Sequence, residues 1–544
     1  MKIYTSLQFK LALELVKYLH LSKTLFKSIL DLLPLPFDPF VGILYSSMMT
    51  PPQTPFAGSM TVSDRAHLHH GPNFGTQGQS ETESSPTIQL DEHDPMHPYN
   101  MGLLRKWLAV ATVSTGSLCV ACTSSIYSTT YGQLKEEFNC SHEIATLGLS
   151  LFIWGMGVGP LILAPLSEIY GRKIIYLSSL TSFFVWLLPC AVATNVQTLL
   201  IGRFLNGFSG SAFLSVAGGT VNDLFPRHHL AFPMMVYTAS PFIGPEIGPL
   251  LGGFINQYAH WRWTFYMLLC WTAALILLVY LLVPETYQPV LLKQKRKQLG
   301  KQRDESQIKS FSRKRFLDSM YMPLLLLCLE PMCLSLCLYS AILLGILYLF
   351  FGAFQVVFQS VYGFELWQCG LSFLGLLVGM VLAVLSDPYW KSRYLRLERK
   401  HRALHRENFA FFPEWRLPPA VAGAPLVTTG LFIFAWTAYS NIHWVVPIIG
   451  SGIFGAGTVL VYSGVFTFLV DAYPVYAASA LAANSFARSM FAGVFPLFGI
   501  QMYNRMGIHW ASSFLAFLTL AMLPFPYIFY RYGSHIRKNS SFAL

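Results

Sequence analysis

The chain has 544 residues and a mass of 61.1 kDa; 53% of it is hydrophobic and only 12% charged, about half the ~25% usual for soluble proteins. That is too apolar for disorder and too poor in charge to coat several water-soluble cores, so the expected fold class is all-α integral membrane. A net charge of +11 would suggest nucleic acid if the basic residues formed one face, but they gather in the connections between apolar runs.

In chain order, residues 1–104 read as a largely disordered cytoplasmic tail. Its stretch at 11–33 is apolar but interrupted by Lys17, Lys23 and Lys27. It reads either as an amphipathic surface helix or as an upstream extension with Met48, Met49 or Met60 as the start. Residues 48–100 are polar and rich in Pro, Ser and Thr. Twelve apolar runs follow, each near the ~20 residues that cross a bilayer: 107–127, 145–165, 174–193, 198–221, 232–256, 264–283, 325–352, 366–386, 418–438, 444–469, 478–500 and 510–530. Residues 105–284 form a first six-helix bundle and 325–531 a second. A basic cytoplasmic linker (285–324) joins them, and 532–544 is a second cytoplasmic tail.

Assigning the connections alternately to two sides leaves 26 Lys and Arg on one side and three (Lys135, Arg262 and Arg505) on the other. By the positive-inside rule both termini are cytoplasmic. The charge is topological, and nucleic-acid binding is not expected. The nine Cys lie mostly inside apolar runs, which speaks against a disulfide framework or a zinc site.

The two halves echo each other. Gly148-Leu149-Ser150 opens the second run and Leu166-Ser167-Glu168 ends it, while Gly370-Leu371-Ser372 and Leu385-Ser386-Asp387 do the same for the eighth. His260-Trp261 precedes the sixth run and His509-Trp510 the twelfth. Two matches in the same order imply duplication, and parallel halves around a midplane cavity are the layout of alternating-access carriers.

Three segments carry candidate chemistry. Ala164-Pro165-Leu166-Ser167-Glu168-Ile169-Tyr170-Gly171-Arg172-Lys173 suits a gate. Gly171 permits a tight turn, the basic pair stays at the membrane surface, and Glu168 can pair with a cation or cap a helix N-terminus. Arg203, in the fourth run, is costly in hydrocarbon, so it should face the cavity with a partner or serve as a hydrogen-bond hub. The fifth run holds Gly244-Pro245-Glu246-Ile247-Gly248-Pro249-Leu250-Leu251-Gly252-Gly253. Its glycines every four residues make a bare stripe for close helix approach. Glu246 sits mid-span, where ionisation is expensive. It is the first choice for a proton-coupled carboxylate, the alternative being a hydrogen-bonded packing residue.

The first segment resembles the G-x-L-a-D-r-x-G-r-k signature of the major facilitator superfamily, with Ala164, Glu168 and Ile169 as departures. Arg203 to Gly207 is similar to that superfamily's R-x-x-q-G motif, and the fifth run to its antiporter motif G-x-x-x-G-P-x-x-G-G. Asp94-Pro95, Trp261-Arg262-Trp263-Thr264-Phe265, Pro284-Glu285-Thr286-Tyr287, Pro413-Glu414-Trp415-Arg416-Leu417 and Arg488-Ser489 extend the resemblance over residues 94–538 to the fungal twelve-spanner drug:proton antiporters of the polyamine and multidrug type. The resemblance implies twelve helices in two pseudo-symmetric bundles. It also implies coupling residues Glu246 and Arg203, and a cytoplasmic gate of Glu168, Gly171, Arg172, Asp223 and Asp387. His228 and His229 stand where relatives carry a basic residue near Leu230.

The function expected is therefore proton-coupled efflux of a small amphiphilic or cationic compound (a drug, toxin or secondary metabolite) by a monomer in the plasma membrane. A proton-coupled polyamine or nutrient transporter and a non-transporting sensor on a carrier fold are the alternatives. The sequence shows no ATP-binding P-loop, catalytic triad, metal cluster or phosphate-binding loop, so neither an enzyme nor a cofactor is expected. Asn139-Cys140-Ser141 is a glycosylation sequon on the outer side, whereas Asn539-Ser540-Ser541 falls on the inner one.

Overall fold

A computed structural model describes residues 98–226, 229–298, 320–404, 412–538, 540 and 542. The amino-terminal amphipathic stretch, the polar tail with Asp94-Pro95, Arg227-His228, the centre of the basic linker and Asn539 lie outside the described residues. Among the described residues, twelve long helical elements follow one another: α1 (Leu103–Ile126), α2 (His142–Tyr170), α3 (Arg172–Ala191), α4 (Val196–Leu224), α5 (Ala231–Tyr258), α6 (Arg262–Leu282), α7 (Pro331–Tyr362), α8 (Leu366–Ser372 continuing as Leu374–Leu385), α9 (Pro418–Thr437), α10 (Val445–Ala472), α11 (Ala477–Met506) and α12 (Ile508–Lys538).

Local chemistry sets the ends. Ser141 caps α2 by accepting from the Ile144 amide, and Asn195 caps α4 through the Thr198 amide at 2.8 Å. Glu365 and Gln368 close a capping box on α8. The seventh run divides at Glu330-Pro331, where the proline takes the first position of a new helix and offers no amide to the turn before it. A short helix, Met320–Leu329, therefore precedes α7, and α7 itself reaches Tyr362 rather than stopping near residue 352. The last helix runs on to Lys538, deep into the stretch expected to be tail.

Ten of the twelve are long and apolar enough to cross a bilayer by length and composition; α5 and α11 are the other two. Their shortfall is informative. α5 carries Pro241, Pro245, Pro249, Glu246 and Asn256, and α11 carries Asn484, Arg488, Gln501 and Arg505. Polar groups at membrane depth are tolerated where they face protein or a cavity, so these two helices belong at the centre.

The packing shows that placement and the duplication together. In the first bundle α1 packs on α5 and α6, α2 and α3 on α4, and α3 on α6. The second bundle repeats the scheme with α7 on α11, α8 and α9 on α10, and α9 on α12. The bundles meet through α2 against α11 and α5 against α8, two contacts that exchange when each helix is advanced by six. Ion pairs follow the same symmetry: Arg172–Asp223 ties the start of α3 to the end of α4, and Arg416–Asp471 ties the start of α9 to the end of α10.

Close approach of α5 and α1 rests on the glycine stripe. A Cβ on Gly248 would lie 2.7 Å from the Ile126 amide nitrogen and 2.9 Å from the Cys122 carbonyl oxygen, both backbone atoms that cannot swing aside. Gly248→Ala should therefore cost about 1–3 kcal/mol as the helices part. Gly132→Ala, which meets nothing within 4 Å, should stay within about 0.5 kcal/mol of the parent. Melting of the detergent-purified protein measures both; equal behaviour would mean that α1 and α5 have slack.

Candidate functional site

Two turns into α4, Arg203 is fully enclosed. Its Nε donates to the Gly148 carbonyl at 3.2 Å, Nη1 to Thr123 at 3.0 Å and Nη2 to Ser124 at 3.4 Å. The guanidinium also lies between two rings, 4.5 Å from Tyr127 and 4.3 Å from Phe152. No carboxylate pairs with it among the described residues. Its partners are carbonyls of α1 and α2 and the rings of Phe152 in α2 and of Tyr127 just past the end of α1, which makes it a hub that locks three helices.

Ser124 carries the connection onward. Its hydroxyl is hydrogen-bonded to that of Tyr348 in α7, 2.9 Å away in the other bundle. Tyr348 in turn lies within electrostatic range of Glu246, Arg488 and Arg203. Glu246 is 1% exposed, and neither carboxylate oxygen has a hydrogen-bond partner. A polar group buried without a partner is the exception in proteins. Arg488 of α11 completes the set, with its guanidinium 5.3 Å from the Tyr462 ring and 4.8 Å from that of Phe466.

Of the antiporter-motif residues, Gly244, Gly248 and Gly252 face α1, and Gly253 faces Leu366 and Trp367 of α8. Pro245 is buried beside Glu246, and the Pro249 carbonyl abuts Gly370. The motif thus packs α5 against its own bundle on one face and against the other bundle on the next.

The turn between α2 and α3 brings most of the gate residues together, but not as the sequence suggests. Gly171 has φ +100°, which only glycine adopts freely. The amides of Arg172 and Lys173 are capped by Glu285 at 2.9 and 3.1 Å, not by Glu168. Arg172 reaches Asp223 at 3.4 Å and Ser167 at 2.5 Å, and stacks over Tyr287. Thr286 donates to the same Asp223 oxygen. Glu168 is exposed, with no ion-pair partner among the described residues, because the α3 terminus it might cap is already occupied. Asp387 lies in the second bundle, half-buried at the start of Asp387–Leu404, and joins none of these contacts.

Among the described residues, hydrogen bonds between the bundles lie at mid-membrane or toward the side of Asn139, such as those of Gln355 to the Ser128 carbonyl, Gln501 to Glu143 and the Leu366 amide to Gln257. On the basic side the ion pairs found among the described residues join elements of one bundle, such as Arg537 with Glu414. The structure is therefore sealed on the Asn139 side. An open depression of about 640 Å³ there, lined by Gln133, Glu137 and His260 among others, contains none of the mid-membrane residues. Asn139 itself is exposed in a left-handed helix end.

Two pseudo-symmetric six-helix bundles, meeting around a buried carboxylate, a buried guanidinium and a half-buried one, define a secondary carrier. Residues 113–496 match the Major Facilitator Superfamily, and the chain belongs to it. The efflux pump atB of Aspergillus terreus is 50% identical, over 91% of this chain and 99% of that protein. The probable drug/proton antiporter YHK8 of Saccharomyces cerevisiae is 39% identical, over 82% and 87%. Among solved structures, the Escherichia coli xylose transporter XylE in a partially occluded inward-open conformation aligns with a TM-score of 0.53 at 15% identity, over 78% of this chain and 99% of its own. The human organic anion transporter MFSD10 aligns with 0.55 at 14%, over 77% and 99%; at such identities the likeness speaks for the fold alone. The chain is a multi-pass efflux transporter and not an enzyme.

Proposed function

We propose that the protein exports a small amphiphilic compound in exchange for protons by rocking its bundles about the mid-membrane site, with Glu246 carrying the proton. The observation that supports this most is the unpartnered carboxylate of Glu246 on the helix that joins the two bundles. Ionised, it would need a counter-charge or a ligand; protonated, it can rest in an apolar setting. Its two charge states therefore suit different occupancies of the site, which is what exchange requires. Arg203 holds α1, α2 and α4 as one body and passes their position to Tyr348 through Ser124.

Arg172, Asp223 and Gly171 form the hinge of the gate on the basic side. Glu168, exposed in the present state, pairs across the bundles when that side closes, with Asp387 as its counterpart in the second half. The distribution of basic residues supports a cytoplasmic location for both termini. The same distribution supports an outer position for Asn139 as a glycan acceptor, in a protein that works as a monomer in the plasma membrane. Everted membrane vesicles test the central claim. Uptake of a fluorescent drug should need an acid-inside gradient and should collapse when an uncoupler is added. Uptake that survives the uncoupler would overturn proton exchange.

A further inference from the structure

The charges around the mid-membrane site do not balance, and the imbalance bears on what the site can hold. Two guanidiniums, Arg203 and Arg488, share the neighbourhood of Tyr348 with one carboxylate, Glu246. Even with Glu246 ionised, the site carries one net positive charge. Arg203 is fully engaged with backbone carbonyls, but Arg488 is not: its Nε is buried with no hydrogen-bond acceptor, and no carboxylate pairs with it among the described residues.

Beside Arg488 stands a ladder of rings. Phe466 and Tyr462 of α10 are stacked at 5.5 Å and 5°, and Phe242 of α5 stacks on Tyr462 from the other bundle at 5.5 Å and 22°. Phe242 and Glu246 are one helical turn apart on the same face of α5. One turn before Arg488, the Oδ1 of Asn484 is also buried without a partner.

We propose that this ladder and Arg488 form the substrate subsite, taking a planar aromatic body that presents an acceptor oxygen (carbonyl or carboxylate) to the Arg488 Nε–H. The subsite discriminates against lipophilic cations. A cation would enter a region already positive and leave the Arg488 donor unsatisfied, whereas an acceptor oxygen satisfies it, and the ring lies flat on the ladder. The assignment rests on reading the bundle interface as the transport site, and it narrows the amphiphilic or cationic class to acceptor-bearing aromatics.

Three probes of matched size test it by equilibrium binding to the full chain in lipid nanodiscs: 2-naphthoate, 2-naphthamide and 2-naphthylmethylammonium. The first two should bind about tenfold or more tighter than the ammonium. Arg488→Gln should weaken both by about tenfold or more and bind the ammonium more tightly, because it removes one of the two positive charges that repel it. Arg488→Lys should restore much of the naphthoate affinity. Phe466→Leu, which removes a ring without touching charge, should weaken all three alike, and it serves if Arg488→Gln does not fold. The assignment is overturned if the ammonium binds as tightly as the others, if Arg488→Gln leaves the order intact, if Phe466→Leu changes nothing, or if no probe binds the parent protein. Binding needs no gradient, so loss of uncoupler-sensitive uptake with the probe order intact would count against proton exchange and not against this subsite.

Discussion

Arg203→Ala will lower the thermal stability of the carrier more than any other single truncation in the first bundle. The side chain is wholly enclosed, filling the space between Tyr127 and Phe152 while bonding three carbonyls from α1 and α2. Truncation leaves a void between two rings, and large-to-small changes of that kind cost about 3–5 kcal/mol. Two of the carbonyls, those of Thr123 and Ser124, lie in the last turn of α1, where no helical amide stands four residues on, so losing the guanidinium adds to that cost. Arg203→Met separates the filler from the charge. It should recover most of the melting temperature, since volume-conserving changes cost about 1.5 kcal/mol or less. Export should nevertheless stay depressed, because methionine cannot grip Thr123 and Ser124 and so cannot relay the position of α4 to Tyr348. Melting by fluorescence-detected chromatography, read beside vesicle uptake, distinguishes the two. If Arg203→Met restores both, the guanidinium is a packing residue and has no place in coupling.

The parts of this architecture legible in the sequence are those written locally. Apolar length marks most of the helices, and the short repeats at Gly148 and Gly370 reveal a duplication that the α2–α11 and α5–α8 contacts bear out. Gly171 also announces itself, since a turn between two apolar runs needs a residue free to take positive φ. What the sequence hides are contacts across long separations. Glu168 is the acid nearest the α2–α3 turn along the chain, yet Glu285, 113 residues from Arg172, is the one that reaches its amides. Tyr348 looks like one more aromatic in an apolar run, and only its 2.9 Å bond to Ser124, 224 residues away, sets it apart. Arg488 is conspicuous as a charge in a span, but its significance depends on what it lacks, and that appears only when its surroundings are known. The Glu330-Pro331 break is a different kind of miss: hydropathy is blind to it, whereas the backbone is not.

Glu246→Gln will separate binding from drive. Glutamine keeps the shape of a protonated glutamate and puts no charge in the membrane, so the variant should fold and reach the bilayer as the parent does. It cannot release a proton, and the step that returns the empty carrier with its cargo of acid is lost. Uptake into vesicles with an acid interior should fall at least about tenfold, to the level seen with an uncoupler. Exchange of labelled for unlabelled substrate at equal concentrations, which moves no net proton, should persist. This pairing distinguishes the coupling role from a structural one, because a damaged bundle would lose exchange together with drive. Glu246→Asp provides the converse: the acid is retained but drawn back by one methylene, so some gradient-driven uptake should return. The reason to expect so large an effect at one position is that both oxygens of Glu246 lack any donor although the side chain is enclosed on the helix where the two bundles meet. A carboxylate with nothing to hold it in either charge state is set by the proton and by the ligand alone. If Glu246→Gln pumps at the parental rate, the proton is carried elsewhere, and the polar character of α5 would have to be explained by packing against α1 and α8.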